Sequence, residues 1–267
     1  MNRREDYQRD PSQLLDSASD LVVIVNPNSP TGQHVPREKL QPIVAELART
    51  RTVWIDEAYI EFAGDSESLE PLAAGNRNVI VCKSMSKVYA LSGLRVAYLV
   101  SHPDRIEQLC NLRPPWAVSL PAQVCGMLAL SENNYYCGRY AETVDFRREL
   151  REALEHIGLE VTDGVINCLL VHLPAGSPTA AEICRTTARR GVYLRDAGSM
   201  GTTMGAHTIR VSVRAANENA RIVEEILRSG VAAPSFASGR RDRHPEPTSA
   251  SLPPPPGPRT GCRSSTR

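Results

Sequence analysis

The sequence predicts an α/β protein, with a mostly parallel sheet carrying helices followed by a smaller C-terminal α/β domain. Three observations predict it. Short apolar runs rich in β-branched residues, at Leu21-Val22-Val23-Ile24-Val25, Thr52-Val53-Trp54-Ile55 and Asn78-Val79-Ile80-Val81, alternate with stretches of helical spacing, as strands joined by helical crossovers do. Each run stops at a polar cluster: Asn26-Pro27-Asn28-Ser29-Pro30-Thr31-Gly32, then Asp56-Glu57-Ala58-Tyr59, then Cys82 to Lys87. Beyond a long amphipathic helix near mid-chain, a second and shorter series of strands and helices begins.

Taken in order, residues 1–20 are charged and Ser-rich and read as a short lead-in with one helical turn. Leu21 to Val25 reads as a buried strand. Pro36 to Arg49 carries Leu40, Ile43, Val44 and Leu47 at helical spacing, with Pro36 at the first helical position and Pro42 weakening the helix without ending it. A short helix is expected near Pro71 to Gly75. The strand at Asn78 follows, and Leu94 to Val100 forms another apolar run after the Lys87 loop. Pro103 to Cys110 and Pro121 to Leu130 read as helices, separated by the stiff stretch Arg113-Pro114-Pro115-Trp116. Tyr140 to Ile157 reads as the long helix, ended by Gly158. In the smaller domain, strands are expected at Leu159-Glu160-Val161, Cys168 to Val171, Val192-Tyr193-Leu194 and Ile209 to Val213, with helices at Thr179 to Arg190 and Asn217 to Arg228. The division is therefore a lead-in over 1–20, a large domain over 21–137, a small domain over 138–230 and a Pro/Ser/Arg-rich tail over 231–267, expected to be disordered.

Composition excludes several classes of function. Of 267 residues, 41% are hydrophobic and 23% charged, the balance of a soluble globular chain. A net charge of +1 gives no bulk attraction for nucleic acid or an acidic membrane. No apolar run is long enough to span a bilayer, and residues 1–10 are polar, unlike a signal peptide. The 7 cysteines are scattered without a C-x-x-C pair, which suggests reduced thiols in the cytoplasm and neither a metal site nor a disulfide framework.

The polar clusters carry the chemistry. In parallel sheets ligands bind beyond the carboxyl ends of the strands, and Asn26, Asp56, Tyr59, Ser84 and Lys87 all fall there. Lys87 lies on a loop between two core strands, three residues after Ser84 and eight before Arg95, so an amine, hydroxyls and a fixed cation can meet one small anion. An amine condenses with a carbonyl to give a Schiff base. An aromatic aldehyde such as pyridoxal phosphate held by Lys87 would need a carboxylate at its pyridine nitrogen, for which Asp56 stands ready. It would need donors to its ring hydroxyl, from Tyr59 and Asn26, and hydroxyls with an arginine at its phosphate, from Ser84, Ser86 and Arg95. Each residue also has a purely structural alternative: Lys87 a solvated surface charge, Asp56 a helix cap, Tyr59 half-buried core, Asn26 a turn holder, Arg95 an ordinary ion pair. Their arrival in order, each just past a strand, favours one site.

Those three clusters, with Ser84-Met85-Ser86-Lys87 running on to Arg95, resemble the signatures of fold-type I pyridoxal-phosphate aminotransferases of class I/II. The branch is the one containing histidinol-phosphate aminotransferase and threonine-phosphate decarboxylase. The resemblance runs from about Asp20 to Gly230. It implies pyridoxal 5'-phosphate as cofactor, Lys87 as the Schiff-base lysine and proton carrier, and cofactor contacts from Asn26, Asp56, Tyr59, Ser84, Ser86 and Arg95. It further implies Arg210 as the substrate-anion arginine, with Asn167 and Arg195 as further substrate-side residues. Arg214 stands where aminotransferases of the branch commonly have Gly, a form closer to the phosphate-handling decarboxylases. The partners implied are an amino donor, a 2-oxo acid and a second subunit in a homodimer.

Family members carry a much longer stretch before the Asn-Pro-Asn loop. The resemblance therefore implies an incomplete large domain, without the loop that completes the phosphate cup, the aromatic residue stacked on the ring or the N-terminal arm. Three functions stay open on the sequence: transamination of an amino acid or phosphorylated amine, threonine-phosphate-like decarboxylation, and a catalytically inactive truncated homologue.

Overall fold

Two four-stranded sheets organise the chain, as seen in a computed structural model that describes residue 7 and residues 10–16, 18–201 and 204–231. Most of the lead-in before Asp10, and the tail from residue 232, lie outside the described residues. The first sheet has the order β1 (Leu21–Val25), β2 (Thr52–Asp56), β3 (Val79–Ser84), β4 (Ala97–Val100). The first three strands are parallel, in a register that sets Val25 beside Asp56 and Asp56 beside Cys82, and β4 runs antiparallel to β3. The polar clusters after β1, β2 and β3 thus leave the same edge of the sheet.

Helix α1 (Arg37–Leu47) joins β1 to β2 and buries Leu40, Val44 and Leu47, one apolar stripe at helical spacing. It starts one residue later than expected, because Pro36 serves as the N-cap whose carbonyl accepts the Lys39 and Leu40 N–H groups. Pro42 sits on the exposed side inside the helix. The stripe packs on Val22, Val53, Ile55, Val79 and Val81, and the short α2 (Glu70–Ala74) adds Ala73. Strand β1 is not buried as expected. Its continuous β-branched run is the signature of a strand covered on both faces, yet Leu21, Val23 and Val25 are 52%, 59% and 38% exposed. Among the described residues nothing covers that face.

Helices α3 (Pro103–Leu112) and α4 (Leu120–Ser131) follow, then α5 (Asn133–His156), which starts seven residues before the expected Tyr140. Residue 137 therefore lies within α5. The second sheet, ordered β5 (Glu160–Thr162), β6 (Cys168–His172), β8 (Thr208–Ser212), β7 (Arg195–Asp196), is antiparallel throughout. Helices α5, α6 (Ala180–Ala188) and α7 (Ala216–Arg228) cover one face of it around Leu150, Leu154, Leu169, Ile183, Ile209 and Ile226. A capping box between Thr179 and Glu182 starts α6. The strand expected at Val192 to Leu194 forms instead at Arg195–Asp196, and Tyr193 is 83% exposed.

The two sheets meet where glycine is required on both sides. A Cβ on Gly164 would stand 2.7 Å from both Gly32 Cα and Thr31 O, while Gly32 itself has φ +74°. Backbone then fastens to backbone, with the Val165 N–H donating to Gly32 O at 2.8 Å and Gln33 Nε2 to Asp163 O at 2.6 Å. Helix α5 spans both units, with Tyr140 edge-on to Phe62 at 5.4 Å.

Candidate active site

The site is assembled from strand ends. At the end of β1, the Asn26 backbone N–H donates to Asp56 O at 3.0 Å, tying the first cluster to the second. The buried Asn26 amide donates to Val35 O at 2.9 Å and accepts the Val35 N–H at 2.8 Å, so it shapes its own loop and keeps one N–H uncommitted. Within the loop, the Thr31 hydroxyl donates to Asn28 Oδ1 at 2.9 Å.

At the end of β2 the side-chain alternation of a strand sends Asp56 and Glu57 to opposite faces. Asp56 Oδ1 accepts the Ala58 N–H at 3.0 Å, which leaves Oδ2 without a hydrogen-bond partner among the described residues. Tyr59 is 8% exposed and packs with Ile166 and Cys168 of the second unit. Burial, with Cys168 and Asp56 adding, pushes its phenol above the ordinary range against a Ser29 hydrogen bond and the Arg210 charge.

Glu57 turns beneath the sheet. It accepts the Ser68 hydroxyl at 2.6 Å and the Leu69 N–H at 2.8 Å. There Lys83 of β3, also buried, meets three carboxylates: Glu61 at 3.3 Å, Glu70 at 3.5 Å and Glu57 at 3.7 Å. Burial pushes Glu57 and Glu61 up, and Lys83 only partly offsets it. Burial pulls Lys83 down, but Glu61, Glu70 and Glu57 together outweigh it and hold the ammonium above its usual value. Both directions follow from one cation shared among three acids, which stabilises the cation more than any single acid. This network anchors β3 immediately before the Lys87 loop.

On the other face of β3, Cys82 lies beside Asp56, and the Ser84 hydroxyl is 2.8 Å from that of Ser86. Lys87 is exposed on the turn that follows, closed by the Ala90 N–H donating to Lys87 O at 3.2 Å and the Leu91 N–H to Met85 O at 3.0 Å. Arg95 has the left-handed φ of 53° and is exposed, with Nη1 donating to Ser92 O at 2.9 Å. Its guanidinium is thus turned to its own loop.

The second sheet supplies the opposite wall. Cys168, 6% exposed, has its thiol pushed up to about 11 by burial, against the charges of Arg210 and Lys87. Lys87 and Arg210, from the two units, thus both act electrostatically on one buried thiol. Arg210 Nε is buried without a hydrogen-bond partner. The β7–β8 register sets Arg195 directly opposite Arg210, so two guanidinium groups share one face of the sheet. Like charges so placed repel unless an anion lies between them. Asn167, just before β6, fixes Val213 through its carbonyl at 3.0 Å.

The structure therefore packs Tyr59 on Cys168, brings the charges of Lys87 and Arg210 to bear on that thiol and those of Arg210 and Asp56 on the Tyr59 phenol, puts Arg195 beside Arg210 and pairs Ser84 with Ser86. It does not bring the Arg95 guanidinium to the hydroxyl pair, and it commits most of the Asn26 amide to Val35. Sequence reasoning missed Cys168, Cys82, Ser29 and the Lys83 network. Lys83 had a usable signal, a lysine inside an apolar strand pattern.

Of the cysteines, Cys82, Cys110, Cys125, Cys168 and Cys184 are free thiols. Among the described residues no helix is long and apolar enough to cross a membrane.

Residues 2–227 match the family "Aminotransferase class I and II". A histidinol-phosphate aminotransferase of Rhodopseudomonas palustris is 30% identical over 209 residues, covering 77% of this chain and 56% of that protein. A decarboxylase from Sulfurospirillum multivorans superposes with a TM-score of 0.76 at 26% identity, over 84% of this chain and 67% of that one. The histidinol-phosphate aminotransferase from Clostridium acetobutylicum shares the fold at a TM-score of 0.75 and 20% identity, over 83% of this chain and 68% of that one. The chain thus spans little more than half the length of the Rhodopseudomonas relative, and within that span it belongs to the class I and II aminotransferase family.

Proposed function

We propose that the chain uses pyridoxal phosphate, held at Lys87, to move the amino group of an anionic amino substrate to a 2-oxo acid, as a histidinol-phosphate aminotransferase-like enzyme. The observation that carries the reading is that Lys87 and Arg210, whose Nε has no hydrogen-bond partner, both act on the buried Cys168 thiol, against which the Tyr59 phenol packs. The residues fit the cofactor at its ring end, where Asp56 Oδ2 and the Tyr59 phenol remain available, and fit it less fully at its phosphate end, where Arg95 faces Ser92.

When bound, pyridoxal phosphate supplies an electrophilic aldehyde and a ring that withdraws electrons from the substrate α carbon. The chain's own residues do the rest. Lys87 would hold the cofactor aldehyde through its amine and, as a free amine, would take the α proton of the substrate. Asp56 holds a proton at the ring nitrogen. The Tyr59 phenol, which burial keeps protonated, donates to the ring hydroxyl, joined by the remaining N–H of Asn26. Ser84 and Ser86 would receive the phosphate, joined by Arg95 once its guanidinium turns from Ser92 O. Arg210 grips the substrate carboxylate with a guanidinium fork, and Arg195 beside it meets a second anionic group, with Asn167 on the same substrate side.

The paired arginines also favour a second reading, decarboxylation of a phosphorylated amino acid, since both reactions take doubly anionic substrates. A homodimer in the cytoplasm completes the proposal, with the exposed apolar residues Leu112, Trp116, Leu120 and Met127 as one surface for the second subunit to cover. Product analysis tests the reaction. Chain loaded with pyridoxal phosphate and given a phosphorylated amino donor with 2-oxoglutarate should form glutamate in step with an oxo product. Carbon dioxide release without glutamate would replace transamination by the lyase reading, and neither product would remove both.

A further inference from the structure

Beside the Gly32–Gly164 contact lies a cleft of about 330 Å³, lined by those two glycines with Gln33, His34, Arg147 and Asp163. It lies behind the loop that carries Asn26 and is walled on one side by α5. Two buried nitrogen atoms on its wall, Arg147 Nη1 and His34 Nε2, have no hydrogen-bond partner. His34 Nε2 is 3.4 Å from Glu67 Oε2, but that oxygen already accepts the Arg37 N–H at 2.8 Å. Burial keeps the His34 imidazole below its usual value, hence neutral, against the pull of Glu67.

Arg147 makes no hydrogen bond or ion pair among the described residues, although the other arginines of α5, Arg139, Arg148 and Arg151, all do. Arg148 pairs with Asp145 at 3.0 Å, and Arg151 pairs with Glu155 and with Asp163, each at 2.8 Å. Asp163, the acid on the cleft wall, is thus taken by Arg151 and by the Gly164 N–H at 3.0 Å. Asp163 still attracts the Arg147 guanidinium through space, but it makes no bond to it, so the wall is left with a buried guanidinium N–H lacking an acceptor and an imidazole nitrogen lacking a hydrogen-bond partner.

We propose that this cleft binds a small oxyanion of the phosphate or carboxylate class, held by the Arg147 guanidinium and the His34 ring. Arg147 belongs to α5, while His34 belongs to the loop that shapes the Asn26 turn. The anion therefore fastens the second unit to that loop, next to the backbone bonds from Val165 and Gln33 that already join them. The inference is independent of the cofactor reading, because none of these residues is assigned to cofactor or substrate.

Thermal unfolding of the full chain tests it, in rising inorganic phosphate and separately in rising acetate, with ionic strength held constant by chloride. The expected result is a saturable rise in melting temperature with at least one of the two anions, the stronger response naming the class. Arg147→Met should abolish the rise, while Arg148→Met and Ser86→Ala should keep it, the latter separating this cleft from the hydroxyl pair near Lys87. A direct measurement guards against a variant that fails to fold: crystals soaked in selenate should show an anomalous peak against Arg147. A response unchanged in Arg147→Met, no response to either anion, or selenate bound only elsewhere would overturn the proposal.

Discussion

Replacing Lys83 by methionine removes the cation that, among the described residues, alone pairs with Glu57, Glu61 and Glu70. Lys83 is 7% exposed, and its ammonium stands 3.3 to 3.7 Å from the three acids. At an effective dielectric of about 20 each contact is worth roughly 5 kcal/mol before desolvation is subtracted. What a variant loses is smaller, because the carboxylates can take up protons. Removing one partner of a buried ion pair typically costs about 3–5 kcal/mol, a large share of a domain stability of about 5–15 kcal/mol. Methionine matches the lysine stem in length, so the loss reports charge and not a cavity. The pH dependence has a definite sign. Glu57 and Glu61 are held above their unfolded values, so the native state binds more protons and stability falls as pH rises from the unfolded carboxylate value through the folded one. Without Lys83 their folded values climb further, which widens that window. Lys83 itself is held above its unfolded value, so its contribution is complete throughout the neutral range. Urea unfolding should therefore show Lys83→Met less stable by about 3–5 kcal/mol near pH 8, the difference shrinking by at least about 1 kcal/mol near pH 5.5. A loss under about 1 kcal/mol near pH 8, or an equal loss at both pH values, would refute the reasoning.

Three further outcomes are expected. Gly164→Ala puts a methyl 2.7 Å from Gly32 Cα and Thr31 O, so it should destabilise by roughly 1–3 kcal/mol in urea unfolding; an unchanged midpoint would mean the two units are not locked there. Arg210→Met should raise KM for an anionic donor by at least about tenfold, equivalent to roughly 1.4 kcal/mol, with Arg210→Lys recovering only part because a point charge replaces the fork. The Cys168 thiol, pushed up to about 11, should resist iodoacetamide near neutral pH while exposed Cys110 reacts, and prompt labelling at Cys168 would contradict its burial.

Much of this architecture is legible in the residues, because the first three strands are β-branched runs that end in turn formers. Pattern reading placed Asp56, Ser84 and Lys87 past those strand ends; in the structure Asp56 and Ser84 are the last residues of β2 and β3, and only Lys87 lies beyond. It fared worse wherever tertiary contact decides. Strand β1 reads as fully buried from its composition, yet one face stands open. The stretch from Asn133 to Arg139 has too few apolar residues to advertise a helix, but it continues the turn of α5. Val192-Tyr193-Leu194 has strand propensity, while pairing with β8 begins only at Arg195. Glu57 and Lys83 lie next to Asp56 and Ser84 in sequence but on the opposite face of the sheet, and only the period of two separates their fates. Cys168 gave no sign at all, since its environment comes from Tyr59, Lys87 and Arg210, all distant in sequence. Asn26 served its structural alternative: its amide holds the Val35 backbone, with one donor left over.

The central claim is that these residues build a cofactor site around Lys87, and covalent capture tests it most directly. The purified chain is mixed with pyridoxal phosphate and reduced with borohydride, and the added mass is located by peptide mapping, with Lys87→Ala in parallel. A single adduct at Lys87, absent from the variant, is the predicted result. Labelling scattered over exposed lysines, or equal in the variant, would contradict it.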